Sequence, residues 1–276
     1  MTTSLEGRTL LMSGGSRGIG LAIAVAAARH GANVVLLAKT AEPHPKLEGT
    51  IHTAAAAIEA AGGHALPVVG DVREEDSVLS AVDQAVAQFG GIDIVVNNAS
   101  AIDLGNSVDL PVKKFDLMQQ IQIRGTFLLT RTAVPHLRKS ANPHILSLSP
   151  PLNLSQRWLG EHPAYMVAKY GMTLLTTGFA AEFAAEGIAA NCLWPQTLIA
   201  TAAVQNLLGG DEAVRRARTP EIVADAALHI LTQPAGEFTG RTLIDVDVLA
   251  AVGVTDLSGY GATGDLEYDI FVDPPA

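Results

Sequence analysis

A single cysteine, Cys192, occurs in the whole chain, so no intrachain disulfide can form. Because this thiol sits in the apolar run from Ile188 to Trp194, a buried and reduced side chain is expected. Charge is also scarce, at 17% of residues, and basic charge scarcer still: 18 Lys and Arg stand against 28 Asp and Glu. The formal net charge of -10, with no Lys/Arg cluster, opposes the phosphate-driven attraction that nucleic acids and anionic membranes exert, so neither is expected as a partner. No apolar run approaches the roughly 20 residues of a membrane span. Met1 to Arg8 show no basic region leading into an apolar one, and Asp273-Pro274-Pro275-Ala276 matches no address, so a cytoplasmic location is expected. The eight histidines include no H-E-x-x-H string and no paired ligand spacing, so no metal site is expected.

What the chain has in quantity is apolar side chain, 48% of 276 residues, enough for one sizeable core. Short apolar runs alternate with longer helical stretches, which reads as repeated βαβ units. The expected fold class is α/β: residues 1–276 form a single doubly wound, Rossmann-type domain, with a mainly parallel seven-stranded sheet and helices on both faces. Strands are predicted at 9–13, 33–38, 65–69, 92–97, 144–149, 188–194 and 242–245. Helices are predicted at 19–30, 49–61, 74–89, 113–139, 163–186 and 220–231, with Pro135 kinking the fourth. Pro67 cannot donate to a ladder on one side, but in the strand order 3-2-1-4-5-6 its strand is an edge, so the proline supports that order. Residues 198–219 form a candidate flap over a site. Residues 249–276, with little periodicity, read as an irregular C-terminal extension.

The first strand runs into Ser13-Gly14-Gly15-Ser16-Arg17-Gly18-Ile19-Gly20. Such a turn brings backbone N–H groups and a helix N-terminus against a pyrophosphate, with glycine wherever a Cβ would collide; alone it is a weak signal, equally a tight turn without ligand. After strand two an acidic residue would bind a ribose 2′-hydroxyl, but the chain reads Ala38-Lys39-Thr40. A cation there, with Arg17 nearby, favours a 2′-phosphate, hence NADP(H) over NAD(H), unless Lys39 is merely a solvated strand-end lysine. Asp71, followed by Val72, and Asn98-Ala99 fall past the ends of strands three and four, the ligand edge of such sheets, although Asp and Asn also suit ordinary turns.

Tyr165 and Lys169 stand four positions apart, on one helix face. Bringing a phenol from its usual pKa to near neutrality takes about 4 kcal/mol. A nearby ammonium contributes roughly 1 kcal/mol in bulk water but about 4 at an effective dielectric near 20. The pair works only in a sheltered cleft; a surface Tyr with a solvated Lys is the bland alternative.

Taken in order, Ser13-Gly14-x-x-x-Gly18-Ile19-Gly20, Asn97-Asn98-Ala99 and Tyr165-x-x-x-Lys169 resemble the short-chain dehydrogenase/reductase family. The segments Lys39 to Leu47, Ser149 to Leu154 and Trp194 to Thr197 further resemble a hydroxysteroid-dehydrogenase-like subgroup of it, whose larger members carry an added sterol-carrier domain. The resemblance implies reversible reduction of a carbonyl, Tyr165 giving the proton and the nicotinamide cofactor the hydride; the apolar side chains of Trp158, Met166, Leu198, Ile199 and Leu207 suggest a small lipophilic substrate. Lys169 would lower the Tyr165 pKa and hold the nicotinamide ribose. Residues 13–20, including Ser16, Arg17 and Ile19, would hold the phosphates, Asp71 and Val72 would meet the adenine, and Asn98 and Ala99 would line the cleft. Pro195, Thr197 and Leu198 are further cofactor candidates. A homo-oligomer, dimer or tetramer, is also implied.

Two positions depart from the family. Gln122 stands where an Asn anchors a water in the proton relay, and Leu152 stands where a serine holds the substrate oxygen, leaving Ser149 as the nearest hydroxyl or else as a strand-end group bonded to backbone. These departures keep open an NADP(H)-binding protein with little turnover, such as a sensor or scaffold. Reduction of an enoyl or dienoyl thioester is another alternative. A hydrolase reading of Gly14-x-Ser16-x-Gly18 fails, because an elbow serine needs an oxyanion donor from an earlier loop and only one strand precedes Ser16. Trp158, Met166, Leu198, Ile199 and Leu207 are candidates for an apolar substrate pocket, or are ordinary core.

Overall fold

The computed structural model describes residues 4–43, 48–262 and 264–274. Residues 1–3 of the amino-terminal segment, 44–47 of the subgroup segment and 275–276 of the C-terminal tetrapeptide lie outside the described residues. Seven strands, β1 (Thr9–Ser13), β2 (Asn33–Ala38), β3 (His64–Val69), β4 (Ile94–Asn97), β5 (His144–Leu148), β6 (Ala189–Trp194) and β7 (Thr242–Ile244), pair in the order β3-β2-β1-β4-β5-β6-β7, all parallel. Central strands are buried throughout, as β1 and β6 show, because helices cover both faces. Pro67 lies opposite Leu36 on the edge strand β3, where its missing N–H costs no ladder bond on the open side.

The helices are α1 (Gly18–Arg29), α2 (Ile51–Ala60), α3 (Glu75–Phe89), α4 (Val112–Gln119), α5 (Gly125–Leu137), α6 (Gln156–Glu161), α7 (Pro163–Glu182), α8 (Ala202–Leu207), α9 (Gly210–Arg215), α10 (Glu221–Leu231) and α11 (Asp245–Ala251). The period of two along each strand splits the core into layers. Leu10 and Met12 pack with Ile23 of α1 and Ile222 and Ala226 of α10. Leu11 and Val35 face the other way, onto Val78 and Val82 of α3 and Leu129 and Ala133 of α5.

The single helix expected over 113–139 is divided: a π-helical turn, Gln120–Arg124, joins α4 to α5, and α5 runs through Pro135 to Leu137. The change of hydrogen-bonding pattern therefore lies at the π turn, the kind of irregularity that clusters at functional sites.

The C-terminal extension begins inside α11 and is irregular thereafter apart from a 3₁₀ turn, Ser258–Tyr260. It folds back across the carboxyl end of the sheet. Leu198 N donates to Glu267 O (2.8 Å), Asp269 N to Gln196 O (3.0 Å) and Trp194 Nε1 to Ile270 O (3.0 Å), while Thr197 bridges Tyr268. Phe271 is buried among the rings of Trp158, Tyr165 and Tyr170.

Candidate active site

Two adjoining cavities open beyond the carboxyl ends of the strands. The larger, about 680 Å³, is walled by Gly14 to Arg17 after β1, by Lys39 and Thr40 after β2, by Asp71 and Val72 after β3, and by Asn98 to Ser100 after β4. The second, about 230 Å³, carries Tyr165 and Lys169 with Gly18 to Gly20, Trp194, Pro195 and Asp269. Arg17, Asn98, Ser100, Ala202 and Ala203 border both.

The turn into α1 is shaped for close approach. No side chain caps the N-terminus of α1, so its leading amides are left for a ligand or water. A Cβ on Gly14 or Gly20 would fall 2.7 or 2.5 Å from Asn98 Nδ2, so the Asn98 side chain blocks both positions, and at Gly20 the Gly15 Cα (2.9 Å) blocks it too. Asn98 in turn donates to Ser13 O (3.2 Å), and Ser13 Oγ accepts from the amides of Asn98 and Ala99 (3.2 Å each). Ser13 thus braces the turn from beneath and borders neither cavity. An uncapped helix start with two cations at the rim fits the diphosphate of a dinucleotide.

At the outer end of the larger cavity Lys39 Nζ lies 3.6 Å from Asp71, and Arg73 donates to both Asp71 oxygens at 2.6–3.1 Å. Burial pushes the Asp71 carboxyl up, but hydrogen bonds from Arg73 and the charges of Lys39 and Arg73 outweigh it and hold the group below the usual range. Arg17 is oriented by the carbonyls of Glu48 (2.8 Å) and Gly49 (2.7 Å).

Tyr165 and Lys169 come from successive turns of α7, and each is only 3% exposed, so the shelter that the pair requires is present. The electrostatics differ from expectation. Lys169 Nζ donates to Leu148 O (2.9 Å) and stands 4.9 Å over the Trp194 ring. Burial pulls this ammonium down to about 8, against the pull of Asp269. Tyr165 is pushed up rather than down: burial is the main cause, the Asp269 charge adds to it, and a hydrogen bond with Ser100 opposes it.

Several candidates are placed elsewhere. Ser149 is completely buried beside the Cys192 thiol and borders neither cavity. Strand alternation explains this: Ser149 shares the face of Ser147, whose hydroxyl meets Asn97 and Thr176, while Leu148 between them reaches the second cavity. Gln122, also fully buried, accepts from Ala101 N (3.2 Å) through Oε1, and its Nε2 has no partner. It can act only through the loop it holds. Pro195 borders the second cavity, whereas Thr197 is buried against the extension and Leu198 packs with Val204, Ala213 and Ala217. Ile199 and Leu207 border the cavities, but Trp158 and Met166 pack around Tyr165 and Phe271. Ser100, Arg73, Thr201 and Asp269 are site residues that the sequence reading missed. Only Ser100, directly after Asn97-Asn98-Ala99, and Arg73, two residues past Asp71, sat beside a motif that marks their place.

A parallel sheet with an uncapped, glycine-rich turn after β1 and a buried Tyr/Lys pair on the adjoining cavity defines a nucleotide-dependent oxidoreductase class. The family model described as enoyl-(acyl carrier protein) reductase matches residues 14–247, and the chain belongs to the short-chain dehydrogenase/reductase family. It is similar to hydroxysteroid dehydrogenase-like protein 2 of Danio rerio, 56% identical over 259 residues, which are 94% of this chain and 62% of that protein. The Homo sapiens protein of the same name is 49% identical over 274 residues, 99% of this chain and 65% of its own. The chain thus spans less than two thirds of the length of these curated relatives. Among solved structures, a short chain dehydrogenase from Mycobacterium thermoresistibile is 58% identical with a TM-score of 0.93, covering 99% of this chain and 97% of that one.

Proposed function

We propose that the chain is an NADP(H)-dependent oxidoreductase interconverting a carbonyl and a primary or secondary alcohol on a lipophilic substrate, with Tyr165 as general acid/base. The observation that carries this reading is the buried Tyr165 and Lys169 on the wall of a cavity that adjoins the phosphate cradle. A bound nicotinamide would supply the hydride. Tyr165 would give its proton to the carbonyl oxygen in reduction and take one from the alcohol in reverse. Lys169 would turn from the Leu148 carbonyl to the nicotinamide ribose and supply the positive charge that eases proton loss from Tyr165. Ser100, on the same cavity wall as Tyr165, replaces Ser149 as the hydroxyl able to meet the substrate oxygen.

Lys39 and Arg17, with no carboxylate at the end of β2, support a 2′-phosphate and therefore NADP(H) over NAD(H). Ile102, Trp194, Ile199, Leu208 and Ile270 give the second cavity an apolar wall suited to a lipid-like substrate. Residues 198–219, whose α8 borders both cavities, serve as the flap, and a cytoplasmic homo-oligomer is the form in which we place the enzyme. Among the described residues no helix is long and apolar enough to cross a membrane.

A second reading, reduction of the C=C bond of an enoyl thioester, is favoured by the description of the matching family model. The deciding experiment is NADPH oxidation against a panel of lipophilic carbonyls and enoyl thioesters, with product analysis. Alcohol formation that disappears in Tyr165→Phe supports the first reading. Saturated thioester as the product, or an unaltered rate in the variant, overturns it.

A further inference from the structure

The cation proposed to meet a 2′-phosphate does not stand alone at the outer end of the larger cavity. Lys39 Nζ lies 3.6 Å from an Asp71 oxygen, close enough for an ion pair but beyond hydrogen-bond reach. Both residues border the cavity, and the Asp71 side chain is 17% accessible against 55% for Lys39. A bare carboxylate in that place would act on a phosphate arriving at Lys39 in two ways. It would repel the phosphate across a partly sheltered space, and it would compete with it for the ammonium.

Arg73 counters both. Its Nε donates to the two Asp71 oxygens (3.1 and 3.0 Å), its Nη2 to Oδ2 (2.6 Å), and its backbone amide to Oδ1 (3.0 Å). One residue therefore satisfies both carboxylate oxygens, in the two-pronged geometry that a guanidinium offers and an ammonium does not. Arg73 itself borders neither cavity, so it grips Asp71 from outside the wall that a ligand would touch.

The π turn fixes this arrangement in its turn. Arg73 Nη1 lies 3.4 Å from Gln120 Oε1, and the Arg73 carbonyl accepts from Arg124 Nη1. Between Asp71 and Arg73, Val72 seats against Gly125, where a Cβ would stand 3.0 Å from Val72 Cγ1. Residues 71–73 are thus held by the first and last residues of the π turn and by the glycine that follows it.

We propose that Arg73 is a positioning residue for cofactor choice: by gripping Asp71 it neutralises that carboxylate and leaves Lys39 to a ribose 2′-phosphate. The inference rests on the NADP(H) reading above. Misplacing Asp71 would disturb adenine binding in either dinucleotide alike, whereas leaving it unneutralised would act on the 2′-phosphate alone. The affinity ratio of two ligands that differ only in that phosphate therefore isolates the effect.

The test is calorimetric titration of NADP+ and of NAD+, with no turnover involved. Arg73→Gln should lower the ratio of NADP+ to NAD+ affinity about tenfold, the size of one charge interaction at a partly sheltered site. Arg73→Lys, which keeps the charge without the fork, should hold the ratio within about threefold of wild type. In an Asp71→Asn background no carboxylate is left to neutralise, and adding Arg73→Gln should change the ratio less than about twofold. Both ligands are measured on the same variant, so a general loss of stability cancels. A ratio unmoved by Arg73→Gln, or lowered as much by Arg73→Lys, overturns the proposal. An equal fall in the Asp71→Asn background also overturns it, since Arg73 would then meet the phosphate itself. If wild type binds the two dinucleotides equally, the NADP(H) reading fails, while Arg73 is still judged by whether Arg73→Gln drives the ratio below one.

Discussion

Withdrawing a side chain from water disfavours its charged form, which raises a phenol and lowers an ammonium, and α7 shows both effects on adjacent turns. Tyr165 therefore holds its proton in this structure, while Lys169 is drawn down to about 8. Tyr165→Phe should abolish carbonyl reduction while leaving NADP(H) binding, measured by calorimetry, within about twofold. At the opposite end of the cleft the proposed preference for NADP(H) rests on the cation at position 39. Lys39→Asp is expected to weaken NADP(H) about tenfold, or ~1.4 kcal/mol, and to narrow or invert the preference over NAD(H). Thermal shifts with each dinucleotide check this, and a wild-type shift larger with NAD(H) would refute the role given to Lys39. The spacing of Tyr165 and Lys169 was readable because both lie on one helix, where four residues make one turn. The direction of Ser149 was not: the residue count to Tyr165 says nothing about which sheet face the strand presents at that point.

Turn and helix act together where β1 meets α1. The Gly20 Cα lies so near Asn98 that Gly20→Ala would drive a methyl group to within 2.5 Å of Nδ2 and break the brace to Ser13. That variant should lose cofactor binding and fall in melting temperature together. The extension makes a comparable contribution at the other end of the site. Phe271 is buried against three aromatic rings, and Phe271→Ala should cost about 3 kcal/mol in denaturant unfolding, with Tyr165 becoming more reactive to tyrosine modification. The strand and helix pattern was legible up to β7 because period-2 and period-3.6 repeats are local. The π turn at Gln120–Arg124 and the docking of residues 267–272 were not, since neither leaves a repeat and both are stabilised by contacts with distant elements.

For the whole molecule, acid stability follows from burial. His144 lies wholly inside on β5, its Nε2 against Gln233 O (3.0 Å) and its Nδ1 unpartnered. Burial, then the charge of Arg8, pull it down to about 4 from the ordinary 6.5. A histidine kept neutral on folding contributes fully above pH 6.5, and its contribution is lost as pH falls from there to about 4, up to ~3 kcal/mol. Asp245, pushed up to about 6 by burial, has the opposite sign between 3.8 and 6, so the comparison must be made between variants. Wild type should lose more stability across pH 6.5 to 4 than His144→Gln does; equal losses would refute the assignment. On the outside, Phe127 of α5 and Leu174 of α7 are exposed apolar side chains suited to a second copy of the chain. If the proposed homo-oligomer forms through Leu174, Leu174→Glu should shift the protein toward monomer by sedimentation.

Spacing along one element settles what a linear pattern can carry: seven strands in a doubly wound order, a glycine turn after the first, and a phenol and an ammonium one turn apart. Packing alone settles the rest. Ser100 shares a cavity wall with Tyr165, Asn98 fills the space over Gly14 and Gly20, and Asp269 returns from the end of the chain to share that wall with Lys169. Each of these contacts joins residues far apart in the chain, and its existence depends on how the sheet, its covering helices and the returning extension fit together, which no local repeat encodes.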